Sequence, residues 1–96
     1  MDKFLIQLAK PAVADLNGIP LAIRKSLLEA ISALEQDPFA DGSSKKKLKG
    51  MAFPVYRLRS SDYRIIYRID QETVTILRVI NRKDLEKIIK RLRKSR

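Results

Sequence analysis

From Ala52 onward the apolar residues change from a helical period to a period of two, and that change decides what the chain can become. In "DYRIIYRI", Asp62 to Ile69, the residues Tyr63, Ile65, Tyr67 and Ile69 alternate with Arg64, Ile66 and Arg68. A half-buried strand has this pattern, because successive side chains point to opposite faces and the aromatic and branched set turns to a core. Tyr56 and Leu58 extend that set onto the preceding strand, with Val55, Arg57 and Arg59 on its other face. Thr73 to Ile80 reads as a third strand of the meander, reached by a short polar turn around Gln71.

Upstream the pattern is helical. "KFLIQLA" predicts a first strand at about Lys3 to Leu8. Pro11 suits the first turn of a helix carrying Val13 and Leu16, which "NG" at Asn17 and Gly18 would stop. A second helix begins at Pro20, with Ile23, Leu27, Ala30, Ile31 and Leu34 on one face, and Asp37-Pro38 ends it. "DPFADGSSKKK" reads as a polar connection. After the third strand, Asn81 is a good N-cap and Asp84 favours a helix N-terminus. Leu85, Ile88, Ile89 and Leu92 then form one stripe of a basic amphipathic helix. The expectation is a single α+β domain over residues 1–96: a small antiparallel sheet with an N-terminal helical hairpin and a C-terminal helix, in the order β-α-α-β-β-β-α.

Charge and missing residue types narrow the chemistry. Among 96 residues, 21 Lys and Arg stand against 11 Asp and Glu, a formal net charge of +10, so a polyanion is the expected partner. Cysteine and histidine are both absent, which excludes thiolate or histidine metal sites, histidine bases and serine or cysteine triads. No metal or other cofactor is expected. No apolar run approaches the roughly 20 residues that span a bilayer, and the start "MDKFLIQLAK" lacks a secretory pattern, so a cytoplasmic location without membrane contact is expected.

Strand pairing concentrates the charge. If Ser60 and Ser61 form a two-residue hairpin loop, Arg59 opposes Asp62, Leu58 opposes Tyr63 and Arg57 opposes Arg64. Tyr56 then opposes Ile65 and Val55 opposes Ile66, so the apolar pairs share one face and the arginines the other. Like charges placed opposite on a sheet repel, and a guanidinium cannot shed its charge. A bound phosphate would resolve the conflict, since the planar fork of arginine matches it. Lys45, Lys46, Lys47, Lys49 and Arg82 are near enough in sequence to reach the same face. A three-residue loop after the middle strand would set Arg78 opposite Arg64, whereas a two-residue loop would turn it to the helical side. The three-residue loop is expected, with Val74 and Ile76 joining Val55 and Ile66 in an apolar strip that the last helix or a partner protein covers.

"KKLKG", "YRLRSSDYRIIYRI" and "VTILRVINRKDL", in that order and spacing, resemble the RelE side of the RelE/ParE toxin superfamily, the toxic halves of toxin–antitoxin pairs. The resemblance implies a ribosome-dependent endoribonuclease, an mRNA interferase that cuts messenger RNA by attack of a 2′-hydroxyl on the adjacent phosphate. It implies catalytic roles for Arg57, Arg64 and Arg82 and contacts to ribosomal RNA for the lysines near Gly50, Lys45, Lys46, Lys47 and Lys49. Arg59 and Arg78, placed by the strand register, are expected as further nucleic-acid contacts. The implied partners are the ribosome, mRNA and a cognate acidic antitoxin, with the toxin alone a monomer. Where many relatives carry histidine before the last arginine this chain has Asn81, no tyrosine follows in "KDLEKII", and Val55 stands where one relative has lysine. Glu86 is a carboxylate within the motif. Two other functions share these features: a ParE-like gyrase poison without nuclease activity, and a basic nucleic-acid-binding module without catalysis.

Overall fold

The computed structural model describes residues 3–94. Its elements are β1 (Leu5–Leu8), α1 (Lys10–Asn17), α2 (Leu21–Ala33), β2 (Lys45–Lys47), β3 (Val55–Ser60), β4 (Tyr63–Asp70) and β5 (Thr73–Asn81). A single 3-10 turn, Arg82–Asp84, then leads into α3 (Leu85–Lys94). Pro11 lies in the first turn of α1, where its missing N–H costs no helical bond, and Pro20 is the N-cap of α2.

The five strands form one sheet in the order β1-β5-β4-β3-β2. The run from β2 to β5 is antiparallel, and β1 joins β5 in parallel. The α1–α2 hairpin packs on one face. Ala12, Leu16, Ile19, Leu27, Ile31 and Leu34 there meet Tyr56, Ile65, Tyr67, Val74, Ile76 and Val79 of the sheet, all buried. Helix α3 crosses the other face and covers a smaller cluster in which Val55, Ile66, Ile80 and Ile88 are buried. The alternation in β3 and β4 therefore reports a real division. Its tyrosine and isoleucine set faces the hairpin, and its arginine set faces α3.

Four details differ from the sequence reading. Lys45–Lys47 is an edge strand rather than a loop, paired with β3 and anchored by Asp41. The β3–β4 turn holds Ser61 and Asp62, with Ser61 at φ 53, not Ser60 and Ser61. Pairing is displaced by two residues: Arg59 opposes Arg64, Arg57 opposes Ile66, and Val55 opposes Arg68. A two-residue slip preserves every side chain's face, and it sets Tyr56 opposite Tyr67, with rings stacked at 5.6 Å.

The β4–β5 turn has two residues, Gln71 and Glu72, rather than three. As a result Val74 and Ile76 pair with Ile69 and Tyr67 and lie in the hairpin-side core, not beside the arginines. The two-residue turn does not carry Arg78 to that side, because a bulge intervenes. Tyr67 pairs with Ile76 and Ile66 with Arg78, leaving Leu77 as the extra residue. One inserted residue reverses the facing of all that follows. Ile80 therefore falls on the α3 side, opposite Arg64.

Candidate nucleic-acid interface

Cross-strand rows give the geometry of the arginine face. One row runs Lys46, Arg57, Ile66, Arg78; the next holds Arg59, Arg64 and Ile80. Arg64 thus has Arg59 directly opposite and Arg57 on the diagonal. The Arg82 amide donates to the Asp62 carbonyl at 2.8 Å, which holds the start of the 3-10 turn beside the β3–β4 hairpin. Arg57, Arg59 and Arg82 are thereby gathered around Arg64.

The electrostatics follow from that crowding. The Arg64 guanidinium loses protons more readily than a free one, first because of partial desolvation and then because Arg57, Arg59 and Arg82 repel it. It remains charged at any physiological pH. Its Nη1 donates to the carbonyls of Ser61 (3.1 Å) and Tyr63 (2.9 Å), and Arg57 Nη1 donates to the Ser44 carbonyl at 3.1 Å. These bonds hold the side chains to the sheet rim while leaving further N–H donors for an anion. Among the described residues the only carboxylate contact of Arg57, Arg59, Arg64 and Arg82 is Arg82 Nε to Asp62 at 3.8 Å, with both side chains about two-thirds exposed. Such a pair contributes little and opens readily.

The lysines divide. Lys46 pairs with Arg57 and shares its face. Lys45 pairs with Leu58, on the hairpin side, and its Nζ donates to the Asp37 carbonyl at 2.7 Å. Lys47 pairs with Tyr56 and is exposed at the edge. Lys49 lies beyond β2 in the connection to β3, where its carbonyl accepts two bonds from Arg93 of α3 (3.0 and 3.2 Å). Arg78 shares the α3-side register but is committed elsewhere: Asp15 of α1 takes Nε and Nη2 at 2.7 and 3.0 Å. The sequence offered one clue to that pair, since Asp15 is the sole acidic residue of α1.

Groups able to move a proton are sparse here. All three tyrosines of the chain, Tyr56, Tyr63 and Tyr67, belong to the hairpin-side core. Asn81 caps the 3-10 turn, its Oδ1 accepting from the Lys83 amide at 3.1 Å. Glu86 is exposed in the first turn of α3. Among the described residues no group of three or more His, Cys, Asp or Glu is placed to hold a metal ion, and no helix is long and apolar enough to cross a membrane. The arrangement can bind a phosphodiester and stabilise charge that builds on it.

This fold, with this basic face, is that of a type II toxin. Residues 6–86 match the family described as the ParE toxin of the type II toxin–antitoxin system, parDE, and the chain belongs to that family within the RelE/ParE superfamily. Among solved structures it is similar to the archaeal RelE–RelB complex from Pyrococcus horikoshii OT3, with 29% identity and a TM-score of 0.70 over 82% of this chain and 94% of that one. The RelB–RelE antitoxin–toxin complex from Methanococcus jannaschii is also 29% identical, with a TM-score of 0.68 over 85% of this chain and 96% of that one. The chromosomal ParDE system of Pseudomonas aeruginosa shares the fold at 16% identity and a TM-score of 0.56, covering 81% of this chain and 95% of that one. Curated protein sequences give no match.

Proposed function

We propose that this toxin is an mRNA interferase, a ribosome-dependent endoribonuclease that inhibits translation. The supporting observation is the gathering of Arg57, Arg59 and Arg82 around Arg64 on a face free of tyrosine and mostly free of carboxylate partners. Uncompensated repulsion of this kind favours an anionic guest. In the proposed reaction Arg64 and Arg57 hold the scissile phosphate, and Arg82 leaves Asp62 to meet the charge added when the 2′-hydroxyl attacks. Lys46 and Arg59 extend the surface along the RNA backbone, with Lys47 and Lys49 contributing from the edge, whereas Lys45 stays committed to Asp37 on the hairpin side. Arginine does not serve as a base at neutral pH. Proton transfer therefore falls to Glu86 or to groups that the ribosome supplies.

The test uses translating ribosomes loaded with a defined message, with new 5′ ends mapped after the protein is added. Cleavage within the message that vanishes in a folded Arg64→Ala variant supports the reading; equal cleavage by that variant removes Arg64 from the mechanism. A second reading rests on the family match, whose description names ParE. Under that reading the toxin poisons DNA gyrase and cuts no RNA. Blocked supercoiling together with an intact message would establish it. The resemblance in sequence and shape runs closer to the RelE structures than to the ParDE one.

The partner we propose is an acidic antitoxin, since the two archaeal relatives were each solved with RelB and this chain carries +10. A segment that orders on binding would neutralise Arg57 and Arg64 as it wraps the toxin. If the product of the adjacent gene fails to bind the purified protein, this proposal fails.

A further inference from the structure

Asp15 performs three contacts with one carboxylate. It binds Arg78 through both oxygens, and its Oδ2 also accepts the Val79 amide at 2.9 Å. The place of these contacts matters. Strand β1 pairs with β5 only as far as Leu8 and Ile76, with one more bond from the Ala9 amide to the Ile76 carbonyl. Beyond that point the outer edge of β5 has lost its neighbour. The bulge at Leu77 begins there, and α1 takes over from β1. Asp15 thus stands in for a strand, satisfying an edge amide immediately after the register change.

We infer that Asp15 is a positioning residue: through the Val79 amide and Arg78 it locks the bulged register of β5, which sets Arg82 beside Arg64, and it withdraws Arg78 from the RNA-binding face. Two registers compete in this strand. Without the bulge, the pairing set by the Gln71–Glu72 turn would carry Val79, not Ile80, opposite Arg64 and reverse the facing of everything through Arg82. A bulge leaves ladder groups unpaired, so the alternative needs something to oppose it. A carboxylate at this edge supplies an acceptor for the orphaned amide and a counter-charge for the arginine beside it. Both side chains are largely shielded, 16% exposed for Asp15 and 27% for Arg78, so water competes weakly for the contacts.

The inference rests on the nuclease reading only for its catalytic consequence, and the test separates the two. Amide hydrogen exchange in the intact protein is compared among wild type, Asp15→Ala and Asp15→Asn. In Asp15→Ala, protection of the Val79 and Arg82 amides falls by about tenfold or more, while the Tyr67 and Ile76 amides keep theirs. Asp15→Asn, which retains an acceptor oxygen, loses less. Unchanged Val79 protection, or an equal loss across the whole sheet, overturns the proposal. The second arm is single-turnover cleavage of ribosome-bound message at saturating protein. Displacement of Arg82 lowers the first-order rate on the order of tenfold to a hundredfold with little change in the half-saturating concentration. A variant that cleaves at the wild-type rate despite exposed Val79 and Arg82 amides overturns the positioning role. Wild type that cuts no message overturns the nuclease reading, and the exchange data then decide the register lock alone.

Discussion

Replacing Arg64 by methionine would separate the cost of the arginine cluster from its use. Methionine keeps most of the aliphatic stem and discards the charge. Arg59 lies directly opposite, and a like-charged cross-strand pair costs about 0.2–1 kcal/mol; Arg57 on the diagonal repels Arg64 at least as strongly and Arg82 less, both screened by solvent. Against this gain stands the loss of two bonds from Nη1 to the Ser61 and Tyr63 carbonyls, made at a partly exposed rim where water replaces them. Together those bonds contribute about 0.5–1 kcal/mol after allowing for solvent. The two effects nearly cancel, and Arg64→Met is expected within about 1 kcal/mol of wild-type stability.

Salt distinguishes this balance from indifference. The Debye length falls from about 30 Å at 0.01 M to about 3 Å at 1 M. Wild type, relieved of repulsion, gains stability over that range. The variant gains less, by about 0.5 kcal/mol. Lys25→Met on α2, exposed and across the sheet from the cluster, controls for the general benefit of lowering a +10 charge. Urea unfolding at the two salt concentrations measures all three proteins. Identical salt gains for Arg64→Met and Lys25→Met would refute the claim that the cluster is locally strained. A loss above about 2 kcal/mol on mutation would show instead that Arg64 is a structural residue.

Tyr67→Phe removes the hydroxyl that donates to the buried Pro38 carbonyl at 2.7 Å, and should cost about 1–3 kcal/mol in urea unfolding. Burial also pushes the Tyr67 phenol well above its ordinary range. Its contribution to stability is therefore complete below the unfolded value of about 10 and declines as the pH rises beyond it; the Phe variant should lack that alkaline loss. Asp41 shows the opposite sign. Bonds from the Lys45 and Ser43 amides and the Ser44 hydroxyl hold its carboxyl far below the usual range. Exchange protection at those amides should be full above about pH 4 and fall as the pH drops further, whereas Asp41→Asn should show no such acid dependence. Gly50→Ala places a Cβ at φ +77, 3.1 Å from Arg93 Nε, and should destabilise the fold by about 1 kcal/mol or more.

How much of this was readable beforehand depended on which physical rule governed each element. The hairpin, the three long strands and the last helix follow from periodicity, because burying one face of each is the dominant demand. The faces of Arg57 and Arg64 were readable for the same reason, and even a misplaced turn left them correct, since the error was two residues and the pleat repeats every two. The bulge was not readable. It depends on where β1 stops and on a carboxylate from a helix 63 residues away in sequence from Arg78. The parallel pairing of β1 and the strand character of "KKK" were hidden likewise: three lysines carry no preference for a strand, and the Asp41 loop and the free edge of β3 supply it.

The unequal loading of the two sheet faces explains how such a site can persist. Among the described residues the hairpin-side cluster holds twelve buried apolar residues, whereas the α3-side cluster holds four, at the centre of a ring of partly exposed ones. Most of the hydrophobic stabilisation therefore lies on the side away from the arginines, where Tyr67, Ile65 and Val74 are fully enclosed. That leaves the α3 side free to carry mutual repulsion without endangering the fold. Rigidity is kept by backbone pairing beneath Arg57, Arg59 and Arg64, which all rise from strands and not from loops. Under the proposed reading, a cluster held in this way would meet an incoming phosphodiester with little rearrangement of the sheet, and the repulsion relieved on contact would add to the binding. The same division predicts the pattern of tolerance. Substitutions that remove charge from the α3 side should spare stability and affect function, and substitutions that remove volume beneath the hairpin, such as Ile65→Ala, should cost about 2–5 kcal/mol and reduce function only through the folded fraction.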